Sequence, residues 1–340
     1  AGFRRSRLCC DGAGGADAVA ARGEIVLSLV KMRALGEYKL AAQGWAGYLS
    51  QDENSPDAYE SRFWLADANH NIVVIEVAMD NTPTPAEVDA AKKTAIAVRD
   101  SNEDDKYLQP AAVMVVDIAQ QVLNDQYKVY ERTSGSQGIE LRKEVKTTGE
   151  GENEKLVTDP MPAQVMAAVS SRDEYIQRVP PAQDPAKNSD LYAFQAADFF
   201  FLYGHFEEAK KRFEPIYKDQ CGKTEYGYKA WIRLTTMANI AHDIPAGRAL
   251  AAAVVAKSCA MDAGQKKKEG EIATGTISTN TTAPTATIVT PPTITCATSS
   301  ITLSGTGSST GATITYAWTA SNGGNISTGA TTLSPVVNSC

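Results

Sequence analysis

The chain has 340 residues, 43% of them hydrophobic, and a formal net charge of −7. That balance argues against nucleic-acid recognition, which needs a clustered Lys and Arg surface. No run of about 18 apolar residues is present to form a membrane-spanning helix, and the length accommodates two or three domains.

Residues 1–20 mix arginines, Cys9, Cys10 and a Gly/Ala stretch, and read as a flexible tail. Residues 21–260 carry helical periodicity broken by Gly, Pro, Asn and Asp. Candidate helices cover 24–35, 38–51, 57–68, 85–100 and 106–123, then 162–178, 190–203, 206–218, 226–242 and 245–258. Ile72-Val73-Val74-Ile75, inside 70–83, reads as strand or buried loop. Residues 132–160 are polar and read as an inserted hairpin or a disordered loop. Residues 261–292 are Lys/Glu-rich and then Thr/Pro/Ala-rich, which predicts an extended linker.

Chemistry divides at the same place. From Ile272 to Cys340 there is no Asp, Glu, Lys, Arg or His. From Thr293 the apolar period becomes alternating, with Ile301 and Leu303, then Ile314, Tyr316 and Trp318, then Leu333 and Val336 facing inward. These are few anchors for a β module of 293–340, and Cys296 and Cys340 could supply one staple. Protease is expected to cut first between Gln265 and Pro292.

No catalytic, metal or cofactor constellation emerges. His70, His205 and His242 are far apart, and the six cysteines form no C-x-x-C pair. Gly307-Ser308-Ser309-Thr310-Gly311 fits G-x-S-x-G, but no His follows it, so a hairpin loop is expected. His242-Asp243 reads as a turn and helix cap, and His205 as an exposed turn residue. Asn280-Thr281-Thr282 and Asn325-Ile326-Ser327 fit glycosylation sequons.

Between Leu191 and Lys218, Ala197 and Ala209 are small residues suited to a close helix crossing, and Phe200 and Phe213 are large ones suited to filling gaps. Tyr203-Gly204-His205-Phe206 is the turn between the two helices. This pattern closely resembles a tetratricopeptide repeat. An earlier copy places its turn at Leu35-Gly36-Glu37-Tyr38, with Ala41 and Trp45 following. A degenerate copy has Val88, Ala91 and Ala95. A later copy has Trp231, Leu234 and Ala238, then Ile244, Gly247 and Ala251. The segment around Tyr316-Ala317-Trp318, preceded by Gly305-Thr306-Gly307, is similar to the immunoglobulin-like PKD modules of secreted adhesins.

The resemblances imply a mainly α protein. They predict a tetratricopeptide-like α-solenoid of helical hairpins in one right-handed stack, followed by a partial β-sandwich. They imply a non-catalytic scaffold of the bacterial cell envelope that binds a protein or peptide on its concave face. By the same resemblance the first helix of each hairpin lines that face. Its exposed positions would be Phe194, Asp198, Phe201, Lys229, Thr236 and Asn239, with core as the other reading of Phe194 and Phe201. The alternative function is a surface adhesin whose β modules carry adhesion. Cys221 and Cys259 close the second helices of consecutive hairpins, about 10 Å apart by helix diameter. A disulfide needs Cα atoms within about 7 Å, which the loop at 222–225 could permit.

Overall fold

The computed structural model describes residues 15–101, 103, 105–149, 154–278, 285–291, 299–310, 314–320 and 325–338. The chain divides into two units, Ala1–Glu269 and Gly270–Cys340. The first unit is mainly α. Its helices are α1 (Gly15–Gln51), α2 (Ala58–Ala78), α3 (Pro85–Arg99), α4 (Leu108–Arg132) and α5 (Ala163–Arg178), then α6 (Asn188–Leu202), α7 (Phe206–Gln220), α8 (Glu225–Ile240) and α9 (Ile244–Ala256). Each packs on the next, and α2 also meets α4, as α6 meets α8.

Local signals explain the boundaries. Thr84 and Glu87 exchange hydrogen bonds across the start of α3, a capping box with Pro85 in the first turn. Thr224 accepts from Gly227 N at α8, and Asp243 accepts from Ala246 N at α9, so the expected cap at His242-Asp243 is present. Helices α2, α4, α6 and α8 share one ending. A residue at positive φ follows each: Asp80, Ser134, Gly204 and His242. Beyond it, Asn81 N reaches Glu76 O, Gly135 N reaches Tyr130 O, His205 N reaches Phe200 O and Asp243 N reaches Ala238 O. Those are the long closing bonds of a Schellman motif. These four helices of the unit thus end in the same way.

Three expectations fail in this part. Residues 24–35 and 38–51 are one helix, α1, so the turn at Leu35-Gly36-Glu37-Tyr38 does not exist. Two glycine-free turns flank Gly36, and its small helix penalty of about 1 kcal/mol does not break a long helix. Ile72-Val73-Val74-Ile75 lies within α2, where Ile72 and Val73 are buried; burial on that face outweighs the β preference of branched residues. Ile244 is exposed, although Gly247 and Ala251 of the same copy are buried.

The insert after α4 is a hairpin, with β1 (Thr147–Thr148) pairing antiparallel to β2 (Lys155–Leu156). Its return strand lies on the α6–α7 turn. Asp159 N donates to Tyr203 O, and Thr158 Oγ1 donates to Gly204 O. A Cβ at Gly204 would stand 2.4 Å from Val157 O. Gly204, in the turn where the repeat pattern puts it, is therefore needed for the approach of the insert and for its positive φ.

Buried side chains run through the stack. Phe63, Val73, Ala91, Ala95 and Ile118 join α2, α3 and α4, with Val88 packed against them. Leu123, Val165, Ala168 and Phe199 join α4, α5 and α6. Ala197, Phe201, Ala209, Phe213, Ala230 and Leu234 join α6, α7 and α8. Ala197 and Ala209 are fully buried at that crossing, as their size predicts.

Helix α10 (Ala263–Ser278) occupies the first part of the expected linker, which is therefore not extended there. In the second unit β3 (Ser300–Thr302), β4 (Asn325–Thr328) and β5 (Val336–Asn338) form one antiparallel sheet in the order β3-β5-β4. Among the described residues this single small sheet stands where a two-sheet sandwich is expected. The alternation is present: Ile314, Tyr316 and Trp318 are half-buried between exposed neighbours. Trp318 donates its Nε1 proton to Thr332 O at 2.8 Å, and its ring lies against Gly305. Cys9, Cys10, Cys296, Cys340 and the sequon at Asn280 lie outside the described residues.

Candidate interaction surface

The six expected concave-face residues fall into two groups. Phe201 is 2% exposed, stacked on Phe206 at 5.5 Å and under the Arg233 guanidinium at 4.7 Å. Phe194 is half-buried against Phe213 and Tyr226. Both belong to the core, because adjacent first helices touch and remove that stripe from solvent. Thr236 is half-buried and bonds back to Ile232 O. Asp198 accepts from Arg233 at 2.7 and 3.3 Å, joining α6 to α8. Lys229 and Asn239 are exposed, with Lys229 paired to Glu225 at 2.6 Å.

A line of polar contacts crosses the helices from α2 to α8. His70 Nε2 lies 2.7 Å from Asp117 Oδ2, joining α2 to α4. Burial pushes the Asp117 carboxyl up, but the His70 and Gln121 contacts outweigh it, and the carboxyl sits below its ordinary value. Arg172 of α5 donates to Gln120 of α4, to Gln195 of α6 and to Ala168 O. It is 3% exposed, and burial lowers its pKa to about 10, against the Tyr192 and Asp117 charges. A depression of about 120 Å3 opens beside it, lined also by Asp198 and Leu202. Asp198–Arg233 completes the line. Polar residues spaced three or four apart on helices read as solvated faces, so only their mutual contacts across helices identify them.

Clefts open on both sets of helices, one of about 400 Å3 lying between α2 and α4 beside Val74, Val77, Gln121 and Tyr127. A cleft of about 570 Å3 lies between α1 and α3 over α2, and one of about 200 Å3 lies between α3 and α5 over α4. Another, about 310 Å3, lies between α7 and α9, floored by Phe206, Leu234, Met237 and Leu250. Ion pairs bridge the helices elsewhere: Arg99 with Glu174 joins α3 to α5, and Arg212 with Asp173 joins α7 to α5.

Cys221 and Cys259 are bonded to each other, with Cα atoms 4.5 Å apart. The turn after α7 brings the chain back, since Gly222 packs beneath Ser258 O and Gly227 beneath Gln220 O. His205 contacts Asp159 O at 2.9 Å and is half-buried, contrary to the exposed turn position expected. His242 contacts Glu154 O at 3.3 Å. Ser308 exchanges hydrogen bonds with Thr287 N and O, holding that loop against residues 285–289. Among the described residues no three His, Cys, Asp or Glu side chains gather as a metal site, and no helix is long and apolar enough to cross a membrane.

Comparison with protein-family models, with curated proteins and with solved structures gave no match. The helices pack as a helical-repeat scaffold would.

Proposed function

We propose that this chain is a non-catalytic protein–protein interaction scaffold of the bacterial cell envelope. In this reading the helices are tetratricopeptide-like hairpins, α2–α3, α4–α5, α6–α7 and α8–α9, and the first helices line a concave face. The observation that carries it is the repeated Schellman closure of α2, α4, α6 and α8, which makes four successive hairpins equivalent. Packing of α2 on α4 and of α6 on α8, beside the contacts of each helix with the next, supports stacked hairpins. The Cys221–Cys259 bond supports an extracytoplasmic location, where disulfides persist.

The partner is a peptide or helix that meets the exposed edge of α8 at Lys229 and Asn239, beside the half-buried Asp198–Arg233 pair. Peptides selected from a displayed library on the folded chain test this. Their binding is expected to fall at least tenfold on Lys229→Glu with Asn239→Arg, at unchanged thermal stability. Selected peptides indifferent to both changes refute the concave-face reading. A second reading, surface adhesion carried by a PKD-like β module, is favoured by the uncharged composition after Glu271. Adhesion of coated beads by the chain but not by a version ending at Ser278 would select it.

A further inference from the structure

Helix α1 presents a face that none of the described residues of the unit covers. Lys31, Ala34, Tyr38, Ala42, Trp45 and Leu49 are half-buried, the spacing of the one face that packs on α2. Half a turn away lies a second stripe of Leu29, Met32, Gly36, Leu40 and Gly44. Leu29 is 56% exposed, Met32 50% and Leu40 69%. Gly36, Gly44 and Gly47 have open space where a Cβ would stand. Each glycine inside a helix costs about 1 kcal/mol relative to alanine, and no contact among the described residues offsets it. What such glycines permit is the close approach of another backbone.

The two ends of α1 differ in a way that selects the occupant. With 37 residues, α1 is about 55 Å long, against about 32 Å for the 21 residues of α2. Lys31 donates to Ala78 O at the end of α2, so α1 continues past its partner on the N-terminal side of Lys31. Leu27, Leu29 and Val30 are all more than half exposed on that projection. Large apolar side chains therefore run along the exposed side of α1 from Leu27 to Leu40, with Gly36, Gly44 and Gly47 among and beyond them. An antiparallel copy of the same helix sets apolar side chains against apolar side chains or glycine in both directions. Crossing at Gly36 puts Met32 of each copy beside Leu40 of the other and Leu29 beside Gln43 and Gly44. Arg33 and Glu37, both exposed and paired with each other at 2.9 Å on one helix, flank the crossing, where a two-fold axis sets the two pairs side by side.

We propose that α1 is a homodimerisation helix, on which two copies of this chain pair antiparallel along Leu29, Met32, Gly36 and Leu40. The unpaired face then continues the stacking interface of the helices with a helix from the second copy.

Sedimentation of the full chain across a hundredfold concentration range is expected to give twice the 36.3 kDa chain mass. Met32→Glu with Leu40→Glu is expected to weaken the dimer at least a hundredfold with unchanged helical circular dichroism, since both residues are exposed. As a measurement that leaves most of the stripe intact, Gly36→Cys is placed in a chain whose Cys9, Cys10, Cys296 and Cys340 are serine. It is expected to cross-link under mild oxidation, whereas Met32→Cys, about 12 Å from its mate, is not. A monomer at every concentration overturns the proposal. So does a dimer that survives both glutamates, or a Met32→Cys variant that cross-links as readily as Gly36→Cys.

Discussion

At the scale of single residues, the α6–α8 stripe separates what packs from what is available. Phe201 carries the Arg233 guanidinium on its ring and is buried, so Phe201→Ala should cost about 3–5 kcal/mol. Lys229→Ala, on the same expected stripe but exposed, should stay within about 0.5 kcal/mol. Urea unfolding of the two variants distinguishes them, and similar values would place Phe201 outside the core. Asp184 makes a second case. It is buried, and it accepts from Tyr175 OH, from Ser189 Oγ and from the backbone N–H groups of Asn188 and Ser189. Burial pushes its carboxyl up, but those donors prevail and hold it below the ordinary value. A depressed folded-state pKa means the stability is fully present above the unfolded value of about 3.9 and is lost as pH falls through the folded one. Asp184→Ala should therefore cost about 2–3 kcal/mol at neutral pH. Its unfolding free energy should also fall less steeply than the parent's between about pH 4 and pH 2.

The elements show why some of the fold was legible and some was not. Thr84-Pro85 with Glu87, Asp243 with Pro245, and the Ala197/Ala209 crossing are encoded by residue type, and the corresponding starts and contacts are where the sequence puts them. The first-helix ends are harder. Only Gly204 announces a left-handed closure; Asp80, Ser134 and His242 adopt the same φ sign without glycine, held by the bonds around them. The shared closure is thus plainer in structure than in sequence, and the continuity of α1 and α2 is hidden in the sequence by Gly36 and by the branched run Ile72–Ile75. Ser134 is exposed with φ 49, so Ser134→Gly relieves a left-handed penalty and should raise stability by about 1 kcal/mol. A lower unfolding midpoint in that variant would contradict the account. The line from His70 to Arg233 was illegible for another reason: its members are ordinary helix-surface residues until the helices meet. The Cys221–Cys259 bond closes a separation of 38 residues, for which loop-closure entropy gives on the order of 4 kcal/mol. Thiol labelling without reductant should spare both cysteines, and Cys221→Ser with Cys259→Ser should lose about that much stability.

Over the whole molecule, charge and period change together. All 33 basic and 40 acidic residues precede Ile272, and the Gly270–Cys340 unit carries the alternating pattern and the one three-stranded sheet. Within the helical unit each helix meets chiefly its neighbours, so cohesion is a chain of local couplings and loosening can begin at either end. The covalent tie between the ends of α7 and α9 removes one of those starting points. The unit is in effect a zipper with a stop at one end, and it frays from the other. Amide hydrogen exchange should therefore be fastest in α1, in a monomeric α1 variant above all, and slowest in α6 to α8. Reducing the bond should speed exchange in α8 and α9 while leaving α2 and α3 unchanged. Directional fraying gives this helical unit a polarity in time as well as in space: under load or heat the α1 end yields first, and the bridged helices α7 to α9 are the last to let go.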